Sequence, residues 1–163
     1  MIGAMEREWV AEESLLISAS PEKVYAAVSD PRAMTAWSPE LFAVWMRHRE
    51  VTEGTRFTGF NRRGLFVWFT GCEVTAAVPE QAFAFRVQSM RMPVALWGFR
   101  LEAVPGGTRL TQYWQDLRRD QRSAGLISLL GRIFTGVKAG ERAGINRAGM
   151  HATLDRIKAS LEA

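Results

Sequence analysis

The chain is poor in the residues that build redox and metal sites. Its 163 residues include one cysteine, Cys72, and two histidines, His48 and His151. A single cysteine can form neither an internal disulfide nor a cysteine-rich metal site, which favours a reducing compartment. No spacing of His, Asp or Glu supplies three metal ligands from one element, so we expect neither a metal ion nor another cofactor.

Long apolar runs and known catalytic motifs are missing as well. The first residues lack the basic and apolar regions of a signal peptide. No stretch approaches the ~18 apolar residues that a membrane-spanning helix requires. These absences predict a cytoplasmic protein. The sequence also contains no GxSxG, GxGxxG, P-loop or HExxH motif, so no catalytic constellation is visible in it.

The positive charge is concentrated towards the C-terminal end. Residues 1–116 hold 12 basic and 13 acidic residues, whereas residues 117–163 hold nine basic and four acidic ones. Any contact with an anionic membrane is therefore expected to use this basic C-terminal segment. Nucleic acid is not expected as a partner, because Arg62-Arg63 and Arg118-Arg119 are isolated pairs outside any RNP-like or helix-turn-helix pattern.

A succession of strands between helices occupies most of the chain, and its size predicts one domain over residues 1–163. Glu8–Ile17 reads as a strand, and Ser20 and Pro21 suit the N-cap and first position of a short helix. A second short helix follows through Met34 to Trp37. From Leu41 to Asp116 apolar residues alternate at period two, which is typical of an antiparallel meander. The predicted strands are Leu41–Arg47, Thr55–Asn61, Phe66–Ala77, Ala82–Met90, Val94–Val104 and Thr108–Asp116, with one of the turns at Arg91-Met92-Pro93.

The last part of the chain is helical in pattern. Met150, Leu154, Ile157 and Leu161 recur at spacings of four, three and four, which predicts a long helix from Glu141 with one buried face. The apolar segment 124–144 before and into this helix has three interpretations: a lid over a pocket, a helix packed on the sheet, or a membrane contact. Packing on the sheet is favoured, because the segment is too short to span a bilayer.

Several motifs in this order carry a family resemblance. They are Ile17-Ser-Ala-Ser-Pro-Glu-Lys-Val-Tyr25, Ser29-Asp-Pro-Arg32, Trp37-Ser-Pro-Glu40, Gly59-Phe-Asn-Arg-Arg-Gly64 ahead of Trp68, Cys72-Glu-Val74, Trp97, Gly107-Thr108 and Thr153-Leu-Asp-Arg-Ile-Lys158. The chain resembles the SRPBCC (START-like, helix-grip) superfamily, and within it the bacterial polyketide cyclase/dehydrase-like proteins. The resemblance implies an α+β helix-grip fold. In that fold a seven-stranded curved antiparallel sheet wraps around the long C-terminal helix, and two short helices follow the first strand.

Strand parity predicts the lining of a pocket between sheet and helix. The inward positions are mostly aromatic and uncharged, which suits an apolar, ring-containing small molecule oriented by a few polar groups. The predicted pocket residues are Trp37, Asn61, Trp68, Thr70, Cys72, Phe85, Trp97, Phe99, Gln112 and Trp114.

Three inward positions are polar, and a buried polar group without a partner is costly. We expect Asn61 and Asp116 to satisfy backbone groups near hairpin ends. Gln112 lies in mid-strand, where a structural role and ligand contact are equally open. The tryptophans are expected to fill the core. Cys72 is expected to be an inert, buried thiol.

Three functions remain. Binding of a hydrophobic small molecule, lipid or polyketide-like, by a non-catalytic or weakly catalytic protein is favoured. The resemblance implies a polyketide cyclase or dehydratase as the alternative, in which Asp116 would handle protons and Gln112 would orient the substrate. The third is a lipid carrier at a membrane surface.

Overall fold

A computed structural model describes residues 9–118 and 141–163, together with residues 129, 132 and 137. The three interpretations of segment 124–144 therefore fall largely outside the described residues. The elements are β1 (Val10–Ile17), α1 (Pro21–Val28), α2 (Met34–Trp37), β2 (Leu41–Met46), β3 (Arg56–Arg63), β4 (Phe66–Val78), β5 (Ala82–Ser89), β6 (Met92–Val104), β7 (Gly107–Asp116) and α3 (Arg142–Leu161).

The seven strands form one antiparallel sheet in the order β1-β7-β6-β5-β4-β3-β2. Each strand from β2 to β7 pairs with its neighbour in sequence, and β1 closes the series beside β7. The long helix α3 packs along β1 and β7. This arrangement confirms the helix-grip α+β fold expected from the sequence.

Three register irregularities interrupt the ladders. They lie between Leu41 and Ala43, between Val74 and Ala76, and between Val87 and Gln88. Extra residues of this kind bend a strand and increase its twist. A change of parity follows on β4, where Ala77 pairs with Phe83 and packs on the core. The sheet therefore curves around the helical layer.

The predicted turn at Arg91-Met92-Pro93 is wrong, because it begins one residue and ends two residues too late. The chain reverses at Met90 and Arg91, whose φ angles are 51° and 64°, and Ser89 pairs with Met92. A two-residue hairpin turn with positive φ at both positions matches the twist of the strands it joins, so the reversal is complete before Pro93. Pro93 lies near the start of β6 beside a register shift, where proline is tolerated.

The N-terminal helices are held by specific local contacts. Ser20 is the N-cap of α1, and its hydroxyl accepts a hydrogen bond from the Lys23 backbone N–H at 3.4 Å. The indole of Trp37 donates to the carbonyl of Ala27 at 3.0 Å. The tryptophan thereby fastens α2 to α1, beside the core.

The core consists of two apolar clusters. The larger one joins β1, the strands β3–β7, α1 and α3, and its fully buried members include Ile17, Val24, Val28, Phe83, Leu110 and Ile157. The smaller one joins Ala11, Ala95, Trp114, Ala143 and Met150, where the first half of α3 meets the sheet. Both clusters lie on the concave face, so burial of α3 depends on both.

A close contact fixes the register of β6 and β7 on the convex face. A Cβ atom on Gly98 would lie 2.2 Å from Cζ of Tyr113, so the ring occupies the space that a side chain would need. The Arg100 guanidinium lies 4.7 Å from the centre of the same ring and pairs with Glu12. Partial burial raises the pKa of the Tyr113 phenol, and the Arg100 charge opposes that rise.

The C-terminal end of α3 is tied to the end of β1. The Glu162 carboxylate accepts hydrogen bonds from the Lys158 ammonium and from the Ser18 backbone N–H, both at 2.7 Å. Lys158 also donates to the carbonyl of Leu16 at 2.8 Å. The hydrogen bonds to Glu162 lower the pKa of its carboxyl group, and the one from Lys158 has the larger effect.

Candidate functional site

The concave face of the sheet carries its side chains in continuous rows. One row runs through Val74, Phe85, Trp97, Trp114 and Ala11. The next runs through Phe83, Phe99, Gln112 and Glu13. A predominantly aromatic row therefore lies beside a row that ends in two polar residues.

Gln112 and Asn146 are the buried amides at this surface. Gln112 lies on β7 beside the buried Trp114, and Asn146 lies on α3 between Ala143 and Met150, two members of the smaller core cluster. The Gln112 Oε1 and Asn146 Nδ2 atoms are both buried, and neither has a hydrogen-bond partner. An unpaired buried polar atom costs about 1–3 kcal/mol, so this pair calls for an explanation.

A carboxylate follows Gln112 in its row. Glu13 pairs with Gln112 in the β1–β7 register, and its Oε1 lies 3.4 Å from His151 Nε2 and 3.7 Å from Arg147 Nη1. His151 is mostly exposed on α3. Glu13 and His151 thus place a carboxylate next to an imidazole at the edge of the concave face.

Asp116 is held by Arg118. Its Oδ1 accepts from the Arg118 Nε at 2.8 Å and from the Arg118 backbone N–H at 3.0 Å, and its Oδ2 accepts from Nη2 at 2.6 Å. Both side chains are buried. The fork geometry is that of a strong bidentate pair. Asp116 thus secures the chain where it leaves β7.

A second ion pair lies near the other end of the concave face. The Arg142 Nη2 atom donates to Glu40 Oε2 at 2.6 Å, and the guanidinium lies 5.8 Å from the centre of the Trp68 ring. Glu40 Oε1 and Arg142 Nη1 are buried without partners. Asn61, which pairs with Trp68, donates to the Gly59 carbonyl at 3.5 Å. The Glu40–Arg142 ion pair joins the start of α3 to the chain that enters β2.

Cys72 lies between these two ends, against Phe57 and Val87. Burial raises the pKa of its thiol to about 12, and a hydrogen bond with Thr70 opposes the rise. The Thr70 hydroxyl oxygen lies 3.8 Å from the sulfur. The thiol therefore stays protonated at neutral pH and is a poor nucleophile.

In residues 9–118 and 141–163 no three His, Cys, Asp or Glu residues converge as metal ligands. No helix of these same ranges is both long enough and apolar enough to cross a membrane.

The family model for polyketide cyclase / dehydrase and lipid transport matches residues 8–162. The chain belongs to this family. This match confirms the family resemblance inferred from the sequence motifs. A comparison with curated proteins finds no match.

Solved structures share the fold of this polyketide cyclase/dehydrase family member. A polyketide cyclase-like protein from Corynebacterium glutamicum is 29% identical, with a TM-score of 0.63 over 97% of this chain and 94% of that one. A protein from Chromobacterium violaceum is 16% identical, with a TM-score of 0.69 over 96% and 99%. The di-domain ARO/CYC StfQ from the steffimycin biosynthetic pathway is 15% identical, with a TM-score of 0.70. The match covers 94% of this chain and 50% of StfQ.

The predicted pocket residues of this family member fall into four groups. Phe85, Trp97, Gln112 and Trp114 lie together on the concave face, whereas Phe99 and Cys72 belong to the packed core. Asn61, Trp68 and Thr70 lie on the β3–β4 hairpin, and Trp37 braces α2. Sequence reasoning missed Glu13 and Asn146. Each had a signal, since Glu13 alternates with Ala11 and Leu15, and Asn146 precedes Met150 by four residues.

Proposed function

We propose that this protein binds a small molecule between the concave face of the sheet and α3. The ligand has a largely apolar body and a polar group that contacts Gln112 and Asn146. The observation that carries the proposal is the pair of buried amide atoms, Gln112 Oε1 and Asn146 Nδ2, that have no hydrogen-bond partner.

The two atoms define the polar group that would complete them. Gln112 Oε1 accepts a hydrogen bond and Asn146 Nδ2 donates one, so a hydroxyl or a carboxylic acid satisfies both. The neighbouring Trp97 and Trp114 supply flat apolar surface. Polyketide-like compounds and lipids both combine such a polar group with an apolar body, in keeping with the family's description.

The test measures ligand retention. Native mass spectrometry of freshly purified protein, followed by solvent extraction, should show a small molecule bound to the wild type. Gln112→Leu and Asn146→Leu should each lower its affinity about tenfold, the loss of one hydrogen bond. Gln115→Leu is the matched control, because Gln115 lies on the same strand with its side chain exposed.

Stability separates ligand contact from a structural role. If Gln112 serves a ligand, Gln112→Leu removes an unpaired polar atom from the core of the free protein, and its unfolding temperature should stay the same or rise. A clear fall in the unfolding temperature, with retention of the ligand unchanged, would overturn the proposal.

A reaction on the bound molecule is the second candidate, and the Glu13–His151 pair favours it. A carboxylate that contacts an imidazole can move a proton to or from a ligand beside Gln112. Asp116, the proton-handling candidate of the cyclase or dehydratase alternative, is bound through both oxygens to Arg118. With a polyketide chain as the probe, Glu13→Gln and His151→Gln should abolish turnover while leaving binding intact. Loss of turnover in Asp116→Asn alone would instead assign proton handling to Asp116.

A further inference from the structure

Six large apolar side chains are exposed along β2 and at the β3–β4 hairpin. We call them the hairpin surface: Phe42, Trp45, Leu65, Phe66, Val67 and Phe69. Leu65 at the turn is 96% exposed, Phe69 is 74% exposed and Trp45 is 62% exposed. Scattered exposed apolar residues are normal, whereas a group of this kind marks an interaction surface.

The strand register places Phe69 and Trp45 of the hairpin surface on one face of the sheet, whereas Phe66, beside the turn, has the parity of Trp68 on the other face. Phe69 pairs with Phe60, which pairs with Ala43, so the three share one row across β4, β3 and β2. Trp45 pairs with Thr58 in the adjacent row, diagonal to Phe60, within reach of a large side chain. The turn of the hairpin projects beyond these rows, since Arg63 pairs with Phe66 and only Gly64 and Leu65 lie between them.

Positive charge surrounds these apolar residues. Residues 41–69 contain five arginines and two glutamates. Arg47, Arg49 and Arg63 are exposed, and in the part of the chain that the structure describes their side chains form no ion pair. The net charge of residues 1–116 is close to zero, but the hairpin surface within them is locally basic.

We propose that the hairpin surface docks onto an anionic lipid bilayer. Leu65 and the aromatic rings would enter the interface between headgroups and acyl chains, and Arg47, Arg49 and Arg63 would contact the lipid phosphates. Aromatic residues favour this depth of a membrane, and each basic side chain near an anionic surface strengthens binding.

The charges and the shape favour a membrane over a protein partner. In a symmetric dimer the same patch meets itself, so the arginines of two copies would face one another. A projecting turn with an almost fully exposed leucine suits insertion into a soft interface, whereas protein interfaces bury their aromatic anchors in matching pockets.

Docking would also orient the concave face. Asn61 and Trp68 lie on the inner face of the same hairpin, next to the Glu40–Arg142 pair. That end of the concave face would then lie nearest the bilayer. Docking itself requires no occupied ligand site, so it stands or falls independently of the proposed function.

The test is flotation with phosphatidylcholine vesicles, prepared with and without phosphatidylglycerol. The wild type should float with the anionic vesicles only, and added salt should weaken its binding. L65S/F69S should bind at least about tenfold more weakly, and Arg63→Gln severalfold more weakly. V10S/L16S is the control, because Val10 and Leu16 are also exposed apolar residues, on β1, and should not be needed.

Each other outcome overturns the proposal. Absence of wild-type flotation, or equal flotation of wild type and L65S/F69S, rules out the hairpin surface as a membrane site. Loss of binding in R122Q/R132Q but not in L65S/F69S assigns docking to the basic C-terminal segment. A wild-type dimer in sedimentation that L65S/F69S converts to a monomer, without vesicle binding, assigns the surface to a second copy. Circular dichroism should show that every variant is folded.

Discussion

Phe83 and Phe69 lie on neighbouring strands of one sheet and have opposite surroundings. Phe83 is completely buried against α1 and the rest of the larger core cluster, whereas Phe69 is 74% exposed. Phe83 belongs to the gripping region, which comprises β1, β5–β7 and the helices. Phe69 belongs to the hairpin region, which comprises β2–β4. The difference shows that the hairpin region, although Phe57, Cys72 and Val74 belong to the core, also leaves large apolar side chains exposed on its other face.

The sharpest way to break this comparison is to truncate the two phenylalanines in parallel. Phe83→Ala should lower the free energy of unfolding by about 3–5 kcal/mol, because it leaves a cavity in a packed core. Phe69→Ala should change it by about 0.5 kcal/mol or less. Urea unfolding followed by circular dichroism measures both. Equal losses would show that the hairpin region is as much a part of the core as the gripping region.

The reactivity of Cys72, on β4, measures how tightly the inner face of the hairpin region is packed into the core. With its pKa raised to about 12 by burial, the thiolate fraction at mildly alkaline pH is about a thousandfold lower than for a free thiol. Alkylation by iodoacetamide, followed by mass spectrometry, should therefore be slow in the native protein and fast in urea. Rapid native alkylation would place solvent at Phe57 and Cys72, and the hairpin region would then be open on its concave face as well.

The Glu40–Arg142 pair connects the regions, and a double-mutant cycle measures the strength of that connection. Both side chains are mostly buried, and a cation in the first turn of α3 opposes the helix dipole, so the carboxylate offsets an unfavourable charge. Glu40→Gln, Arg142→Met and the double variant should give a coupling of about 1–2 kcal/mol in thermal or urea unfolding. A coupling near zero would mean that the ion pair adds nothing to the apolar packing that already joins the two regions.

Glu162 gives the smallest effect, confined to the gripping region. Its pKa is lowered in the folded protein, chiefly by Lys158, so its contribution to stability is present above the usual carboxyl pKa. That contribution disappears as the pH falls through the lowered pKa. Glu162→Gln should therefore be slightly less stable than the wild type at neutral pH, and the two should converge in acid. Glu53→Gln, at an exposed site, is the control in unfolding scans across pH.

Most of the fold was predictable because its signals are local. The predicted strand Phe66–Ala77 corresponds to Phe66–Val78, and the predicted Ser20 cap forms the expected hydrogen bond. Period-two alternation and turn residues depend only on neighbours in sequence. The turn after β5 was misplaced because Met90 and Arg91 adopt positive φ, which glycine or asparagine more often signals.

The candidate site was harder to predict because its pairs come from distant positions. Parity indicates that Gln112 points inward, but not that Asn146 on another element is a second buried amide. Glu40 and Arg142 are 102 positions apart, and only the curvature of the sheet brings them together. Pairing of inward polar groups depends on that curvature, which register shifts such as the one at Val74 help to set.

The contact between Gly98 and Tyr113 has a consequence for the history of the fold. Since the tyrosine ring occupies the place of the missing side chain, the volumes at the two positions are coupled. Among related sequences, a residue larger than glycine at position 98 should accompany a small residue at position 113, and a tyrosine at 113 should accompany glycine. Substitution at either position alone should be rare, so the two positions should change together as one inherited unit.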